Sequence, residues 1–365
     1  MNDVDCAEIG AGEVGLAIAR ASAQRGLSTV LLEQHSSYGT ETSSRNSSVI
    51  HSGVYYDKSS LKSRACIHGR DMLYEFCRQH GVEHRQCGKL IVATNAAEEA
   101  RLDQLYTNAR NVEIVDAHLL STAEIRSREP ALLVKSALWI PAAGIVDSHA
   151  LMTALLGEFE HASGIFATRS EVTRIHRETT GFTITLSNEP TSLRTRAVIN
   201  AAGLHATALA MRIEGIDPTS VPRMHLAKGN YFEYAGRSPF RHLIYPVPVD
   251  GGLGVHVTLD MAGRMRFGPD VEWVDNIDYG VAAERAATFY PAIRRYWPDL
   301  PDNSLRPAFA GIRPKLCGPG EPAADFSIQD VTTHQVPGLI CLYGIESPGL
   351  TASLALAEEV AQILE

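Results

Sequence analysis

The sequence contains no apolar run of 18 residues or more, so we expect no membrane-spanning helix. Its N-terminus has no basic segment followed by an apolar one, so we expect no signal peptide and a cytoplasmic protein. An excess of positive charge is also lacking. The formal net charge is −9, which argues against nucleic acid or an anionic membrane surface as a partner.

No pair among the six cysteines has the CxxC spacing of a zinc site or a redox dithiol, so we expect reduced thiols. The histidines show no metal-ligand spacing either, and we expect no metal. Internal repeats and low-complexity segments are also missing. With 365 residues, of which 45% are apolar, the chain is long enough for a large core and for two domains.

The first thirty-three residues predict a βαβ unit: a strand over residues 4–9, a helix over 16–25 and a second strand over 29–32. Gly10, Gly12 and Gly15 lie between the first strand and the helix. This spacing suits a tight turn, close approach of the backbone to a pyrophosphate and close packing of helix on strand. Glu33 follows the second strand, where an acid would hold ribose hydroxyls. We therefore predict dinucleotide binding.

Glu8 fits this unit badly, because the first strand of such a unit is normally central and apolar on both faces. A buried, unpaired carboxylate costs several kcal/mol, on the order of its desolvation. In one interpretation Glu8 reaches a sheet edge or a partner, or is protonated. In the other it weakens the binding of the cofactor.

The rest of the chain mixes helices with two groups of strands. We predict helices over residues 61–80, 97–109, 121–128, 148–162, 204–213, 281–297 and 350–364, the third with a capping box. We predict strands over residues 87–94, 165–169, 172–177, 182–187, 193–199, 230–234, 243–247, 253–258, 264–267 and 339–343. The strands over 165–199 form a meander, and those over 230–267 have the period of an antiparallel sheet. Residues 298–307 read as a linker.

Four stretches together resemble a known family: residues 10–15 with Glu33, residues 42–56, residues 87–94, and residues 311–315 with 344–351. They resemble FAD-dependent oxidoreductases of the D-amino-acid oxidase/glycerol-3-phosphate dehydrogenase superfamily, and within it the bacterial L-2-hydroxyglutarate oxidases and dehydrogenases. The second and fourth stretches are more specific than the glycine motif. Glu8 departs from the family's pattern, which has an aliphatic residue there, and Glu13 is also unusual.

The resemblance implies an α/β fold: a Rossmann-like FAD-binding domain with an inserted β-meander, plus a second domain built on an antiparallel sheet. The FAD-binding domain would take residues 1–85, 144–221 and 309–365, and the substrate-binding domain residues 86–143 and 222–308. The resemblance also assigns residues to FAD. They are Gly10, Gly12, Glu13, Val14, Gly15, Glu33, Gln34, Thr42, Ser43, Ser44, Arg45, Asn46, His51, Ser52, Gly53, Val172, Ala201, Ala202, Gly203, Gly311, Arg313, Ser347, Pro348, Gly349, Leu350 and Thr351.

The implied reaction is the oxidation of a 2-hydroxy acid, L-2-hydroxyglutarate to 2-oxoglutarate, by hydride transfer to flavin N5. Arg313 is our candidate for the substrate carboxylate, because a guanidinium makes a planar, two-pronged match. His51 and His256 are both candidates for the base that takes the hydroxyl proton. The second carboxylate needs further donors, for which the candidates are Tyr56, Lys89, Lys228 and Tyr245. Other histidines, His35 among them, read as surface residues.

Alternatives remain open at this point. The chain could oxidise an amino acid or glycerol 3-phosphate, or it could bind flavin with little catalysis, which Glu8 would explain. An NAD dehydrogenase is a weaker alternative, because the turn and helix at the C-terminus would have no function there. The electron acceptor could be oxygen, a quinone or an electron-transfer protein. A quinone would place the protein at the periphery of the inner membrane, although no amphipathic basic helix is present.

Overall fold

The computed structural model describes residues 2–187, 192–248 and 254–364, in which helices are mixed with runs of consecutive strands. The strands are β1 Val4–Ile9, β2 Thr29–Leu32, β3 Val49–Ile50, β4 His84–Arg85, β5 Lys89–Ala93, β6 His118–Leu120, β7 Ser136–Ile140, β8 Gly144–Val146, β9 Ile165–Ala167, β10 Val172–Arg177, β11 Phe182–Leu186, β12 Ser192–Asn200, β13 His225–Tyr234, β14 Leu243–Pro246, β15 His256–Leu259, β16 Met265–Gly268, β17 Glu272–Val274, β18 Leu305–Lys315, β19 Ser327–Gln329 and β20 Leu339–Tyr343.

The helices pack on these strands. They are α1 Glu13–Gln24, α2 Leu61–His80, α3 Ala96–Asn111, α4 Thr122–Arg128, α5 Ser148–His161, α6 Ala206–Ala210, α7 Ala286–Arg294, α8 Val331–His334 and α9 Gly349–Ile363. None of the helices in the described ranges is long and apolar enough to cross a lipid bilayer.

The first large sheet has the strand order β10-β11-β12-β1-β2-β9, and β20 also pairs with β12. β1 pairs in parallel with both β12 and β2, so it lies in the middle of the sheet. β10, β11 and β12 pair antiparallel, which is the predicted meander. α1 packs against α5 and α9, and α9 also packs against α2. The sheet and these helices together form the Rossmann-like part of the fold.

The glycine motif sets how closely α1 approaches β1. Gly10 has a φ of +105°, a conformation that L side chains rarely adopt. A Cβ added at Gly15 would lie 1.9 Å from the carbonyl oxygen of Gly10. Only glycine at position 15 therefore lets the helix begin directly over the end of the strand.

The second large sheet has the order β17-β13-β16-β15-β14-β5-β7-β6, with β18 paired to β13. Its pairs are antiparallel except for β5 with β14, which is parallel, so the sheet is mixed. β18 takes in the predicted linker's last residues and crosses the boundary predicted at residue 309. Its prolines, Pro307 and Pro314, are tolerated because β18, among the described strands, pairs with β13 alone. The division into two domains stays a prediction.

Several other elements differ from the sequence-based expectation. The predicted helix over 281–297 is a 3₁₀ turn, Ala283–Arg285, followed by the shorter α7. The predicted helix over 204–213 is likewise a 3₁₀ turn followed by α6. The predicted strand over 253–258 begins at Leu253, which lies outside the described residues, and the observed β15 starts at His256. The short strands β6, β7 and β17 were not predicted. α2, β10 and β20 have the predicted bounds, and the capping box of α4 is present.

Candidate active site

A cavity of about 950 Å³ lies where the carboxyl ends of β1 and β2 meet β13, β18 and the start of α9. Both large sheets contribute to its wall. In a parallel sheet of this kind, ligands bind beyond the carboxyl ends of the strands, next to helix N-termini. The cavity therefore has the position that the glycine motif predicts for a cofactor.

Most residues that the sequence predicts for the site line this cavity. They are Gly10, Gly12, Glu13, Val14, Gly15, Glu33, Gln34, Thr42, Ser43, Arg45, Asn46, His51, Tyr56, Val172, Ala201, Ala202, Gly203, Tyr245, His256, Gly311, Arg313, Ser347, Pro348, Gly349 and Leu350. Six predicted residues do not line it: Ser44, Ser52, Gly53, Lys89, Lys228 and Thr351.

Hydrogen bonds to backbone N–H groups join the glycine motif, β2 and the polar loop, which is the segment of residues 35–48. The Glu33 carboxylate accepts from the backbone N–H of Ala11 and of His35, each at 2.9 Å. The Ser43 hydroxyl accepts from the backbone N–H of Glu13, also at 2.9 Å. A Cβ added at Gly12 would lie 2.8 Å from that hydroxyl. The turn is therefore a cradle that only glycine leaves open, and the N-terminus of α1 with the Ser43 hydroxyl fits a pyrophosphate.

His51 is fixed against the turn that begins α9. Its backbone N–H donates to the Thr351 hydroxyl at 2.9 Å, and its ring Nε2 lies 3.3 Å from the Ser347 hydroxyl oxygen. Thr351 thus contributes by holding His51 rather than by lining the cavity. Burial lowers the pKa of His51 well below its usual value, and the charges of Lys89, His256 and Arg313 act in the same direction. The imidazole is therefore neutral near pH 7 and can accept a proton.

An aromatic stack stands beside His51. The rings of Tyr245 and His256 are parallel within 12°, with centroids 3.6 Å apart. The Lys89 Nζ lies 4.1 Å from the centroid of Tyr245, and among the residues the structure describes it has no hydrogen-bond partner. Burial lowers the pKa of Lys89 to about 8. Because Lys89 does not line the cavity, its charge acts on the site from behind Tyr245.

Arg313 projects from β18 into the same cavity. It lies beside Tyr231, whose pKa is raised by burial although the charge of Arg313 acts in the opposite direction. Within the described part of the chain Arg313 forms no ion pair, and the nearby carboxylate of Glu346 is bound by two lysines instead. The guanidinium is therefore available to an anionic ligand. Lys228, in contrast, donates to Asp278 at 3.0 Å and does not line the cavity.

Two charged clusters at the cavity wall were missed by the sequence analysis. Glu346 bridges Lys62 at 3.0 Å and Lys315 at 2.8 Å. Residues 62 and 346 are too far apart in the chain for any spacing rule to connect them. The second cluster joins Glu41 to His35 at 3.0 Å and to His205 at 3.1 Å. His35, predicted as a surface residue, has a side chain that is 40% exposed and also lines the cavity.

Glu8 lies in the central strand of the first sheet, so the interpretation that it reaches a sheet edge is wrong. It is fully buried, and neither of its carboxylate oxygens has a hydrogen-bond partner in the described ranges. Burial raises its pKa well above the usual value. Of the interpretations considered, the protonated acid is the one that agrees with this environment.

Comparisons with known proteins agree with one another. The family model described as FAD dependent oxidoreductase matches residues 5–363. A mitochondrial L-2-hydroxyglutarate dehydrogenase of Arabidopsis thaliana is 43% identical, over 98% of this chain and 83% of the relative. That of Pongo abelii is 30% identical, over 99% and 88%. A solved structure of L-α-glycerophosphate oxidase from Mycoplasma pneumoniae, dithionite-reduced with FAD bound, has a TM-score of 0.89 at 25% identity, covering 100% of this chain and 95% of that one.

Proposed function

Because the chain belongs to the FAD dependent oxidoreductase family, we propose that it uses FAD to oxidise L-2-hydroxyglutarate to 2-oxoglutarate. The observation that carries the proposal is that one cavity holds both Arg313, which forms no ion pair with any described residue, and the neutral imidazole of His51. The relative at 43% identity supports the choice of substrate.

FAD would lie along the cavity from Glu33 to the start of α9. The N-terminus of α1 and the Ser43 hydroxyl would hold its pyrophosphate. Glu33 would hold the ribose, and the backbone of Val172 would meet the adenine. The turn from Ser347 to Leu350 would present its N–H groups to the flavin. When bound, FAD supplies the two-electron acceptor that takes the C2 hydrogen of the substrate as hydride.

Arg313 would bind the carboxylate next to C2 through two parallel N–H···O hydrogen bonds. The neighbouring Tyr231 would limit the rotation of the guanidinium and so hold its two donors in one direction. Orientation of this kind converts binding energy into rate, because the reacting C–H bond is held in one direction.

We assign His51 as the base that takes the hydroxyl proton as the hydride leaves C2, so that the substrate loses two electrons and two protons overall. Its lowered pKa keeps it unprotonated at neutral pH, and Ser347 and Thr351 fix its position. His256 would be the less direct choice, because its ring is engaged in the stack with Tyr245.

The second carboxylate would be met by the hydroxyls of Tyr56 and Tyr245. Burial raises the pKa of both well above the usual value, so both hydroxyls keep their protons and donate. Lys62 and Lys315, which share the single carboxylate of Glu346, leave a positive excess on the same wall. Lys89 would act through Tyr245 rather than by contact, and Lys228 pairs with Asp278 instead.

The substrate is tested by adding it anaerobically to the purified protein and recording the flavin absorbance. L-2-hydroxyglutarate should bleach the flavin, and the D enantiomer should not. Arg313→Lys keeps the positive charge but loses the planar, two-pronged set of N–H donors. We therefore expect a loss of about a hundredfold or more in kcat/KM. His51→Asn should lower kcat much more than His256→Asn, and the reverse order would move the base to His256.

A second candidate substrate is glycerol 3-phosphate, which the likeness to the glycerophosphate oxidase favours. Its phosphate would take the place of the carboxylate at Arg313. Bleaching by glycerol 3-phosphate without bleaching by L-2-hydroxyglutarate would establish this alternative. Glycine and D-amino acids in the same assay cover the amino-acid oxidising members of the superfamily.

The reduced enzyme must pass its electrons on, and we propose oxygen, a quinone or an electron-transfer protein as the acceptor class. We further propose that the protein works in the cytoplasm, at the membrane periphery if the acceptor is a quinone. Adding each acceptor to the substrate-reduced protein and timing the return of the flavin colour separates the three.

A further inference from the structure

Glu13 is a second buried acid in the glycine motif, and unlike Glu8 it faces the cavity. It is the first residue of α1 and is only 4% exposed. Its backbone N–H donates to Ser43, and its side-chain Oε1 accepts from Asn46 Nδ2 at 2.9 Å. The carboxyl group therefore stands between the helix N-terminus and the polar loop, at the place where a pyrophosphate would bind.

Within the described ranges, no cation is close enough to Glu13 to stabilise its ionised form. The guanidinium of Arg45, in the polar loop, lies 3.9 Å over the ring of Tyr279. On the side of β2, Glu33 is a further acid, bound to two backbone N–H groups. On the side of β1, Glu8 lies beneath Gly15, with its Oε1 3.5 Å from a Cβ placed there. Among the described residues Glu13 forms no ion pair, and its polar side-chain partner is the neutral Asn46.

This environment favours the neutral acid. Burial raises the pKa of Glu13 to about 8, although the hydrogen bond from Asn46 acts in the opposite direction. The pyrophosphate of FAD brings two negative charges to the same helix N-terminus, and like charges raise the cost of ionising a carboxyl group further. A neutral carboxyl group also offers an O–H donor to a phosphate oxygen, which a carboxylate cannot do.

We propose that Glu13 binds FAD only as the neutral acid, so that the chain takes up one proton on binding FAD in alkaline solution and holds the cofactor less tightly there. In acid solution the contact between Glu13 and FAD is not weakened, because Glu13 is already neutral there. Of the functional conclusions, the proposal needs only membership of the FAD dependent oxidoreductase family. It does not depend on which substrate is oxidised.

Because proton uptake is linked to binding, the dissociation constant of FAD should depend on pH in a way that can be measured. Below pH 8 Glu13 of the FAD-free chain already carries its proton, so the dissociation constant of FAD should not change with pH. Above pH 8 the proton must be taken up on binding, so the dissociation constant should rise up to about tenfold for each pH unit. If Glu13 acted only through its shape, the dissociation constant of the wild type would not change with pH in this way. Replacing Glu13 would then weaken FAD binding by the same factor at every pH.

The experiment dilutes the holoenzyme into buffers from pH 6.5 to 9.5 and measures the FAD released at equilibrium by its fluorescence. The wild type should show the slope, and Glu13→Gln should be level over the whole range, because the amide keeps the shape and the contact with Asn46. Glu8→Gln is the matched control and should keep the slope. If Glu13→Gln does not fold, Glu13→Val takes its place.

Two results would overturn the proposal: a slope in the Glu13 variants equal to that of the wild type, or a slope that disappears in Glu8→Gln. As a second readout, calorimetric titration of the FAD-stripped full chain at pH 9 in two buffers of different ionisation enthalpy counts the protons taken up. The count should be close to one for the wild type and close to zero for Glu13→Gln. A wild-type count of zero contradicts the proposal directly.

Discussion

Glu8 places a polar group against α1 in a strand whose neighbouring side chains, Cys6, Ala7 and Ile9, are buried and apolar. An unpartnered polar group in such a place costs about 1–3 kcal/mol even when it is neutral. We predict that Glu8→Met, which keeps the length of the side chain, raises the free energy of unfolding by about 2 kcal/mol at pH 7. Urea unfolding with saturating FAD measures the change.

The gain from Glu8→Met should also depend on pH. The folded pKa of Glu8 lies well above 4.5, the value expected for the unfolded chain. Above pH 4.5 the unfolded chain releases a proton that the folded chain keeps, so the wild type loses stability as the pH rises toward the folded pKa. The difference between variant and wild type should therefore be larger at pH 8 than at pH 5. Glu8→Gln, polar but not ionisable, should remove the pH dependence only.

Lys89 offers a test of how charge behind the cavity wall affects His51. Below pH 8 Lys89 is charged and disfavours protonation of His51. We predict that Lys89→Met raises the pKa of His51, so that the acid limb of kcat/KM moves up by about one pH unit. Lys228→Met is the control, because that lysine pairs with Asp278. If the acid limb of kcat/KM lies at the same pH in both variants, Lys89 serves only to pack against Tyr245.

At the scale of elements, the ion cluster of Lys62, Glu346 and Lys315 joins the start of α2, the end of β18 and the turn before α9. Burial alone would raise the pKa of Glu346, but the two lysines outweigh it, and the pKa lies below its usual value. We predict that Glu346→Gln lowers the free energy of unfolding by about 3 kcal/mol at pH 7, because two nearly buried cations lose their partner.

The stabilisation by Glu346 is present above the unfolded pKa of 4.5 and is lost as the pH falls through the lower folded pKa. Thermal unfolding at pH 7 and at pH 4 therefore distinguishes charge pairing from packing. The exposed pair of Lys58 and Glu113 provides the matched control, and Glu113→Gln should change stability by less than about 0.5 kcal/mol. A similar small effect for Glu346→Gln would show that the cluster does not fix the turn.

The elements that the sequence predicts well are those with local signals. α2 has the predicted bounds because Ser60 caps it and Gly81 ends it in a left-handed conformation. The βαβ unit is confirmed because its glycines carry a geometric requirement. β18 was missed because its two prolines are not typical of a strand. It is stabilised by pairing with β13, a contact that the local sequence does not indicate. Likewise, no local pattern could join Lys62 to Glu346, since that contact exists only after α2 and α9 pack together.

At the scale of the whole molecule, the cavity takes residues from position 9 to position 350, so FAD would bridge segments from both ends of the chain. The confirmed FAD family and fold class came from motifs spread over that same span. The assignments of His51, Arg313 and the tyrosines stay predictions, because the sequence identifies their chemical types but not their distances.

A ligand that binds only the folded chain stabilises it by mass action, by about 2.7 kcal/mol at a hundred times its dissociation constant. For a chain of 365 residues this corresponds to a rise in Tm of about 3 °C. We predict that Tm increases with the logarithm of the free FAD concentration. At equal concentration FMN should raise Tm less, because it lacks the adenosine half that Glu33 and Val172 would hold. Equal shifts with FMN and FAD would mean that the βαβ end of the cavity adds nothing to binding.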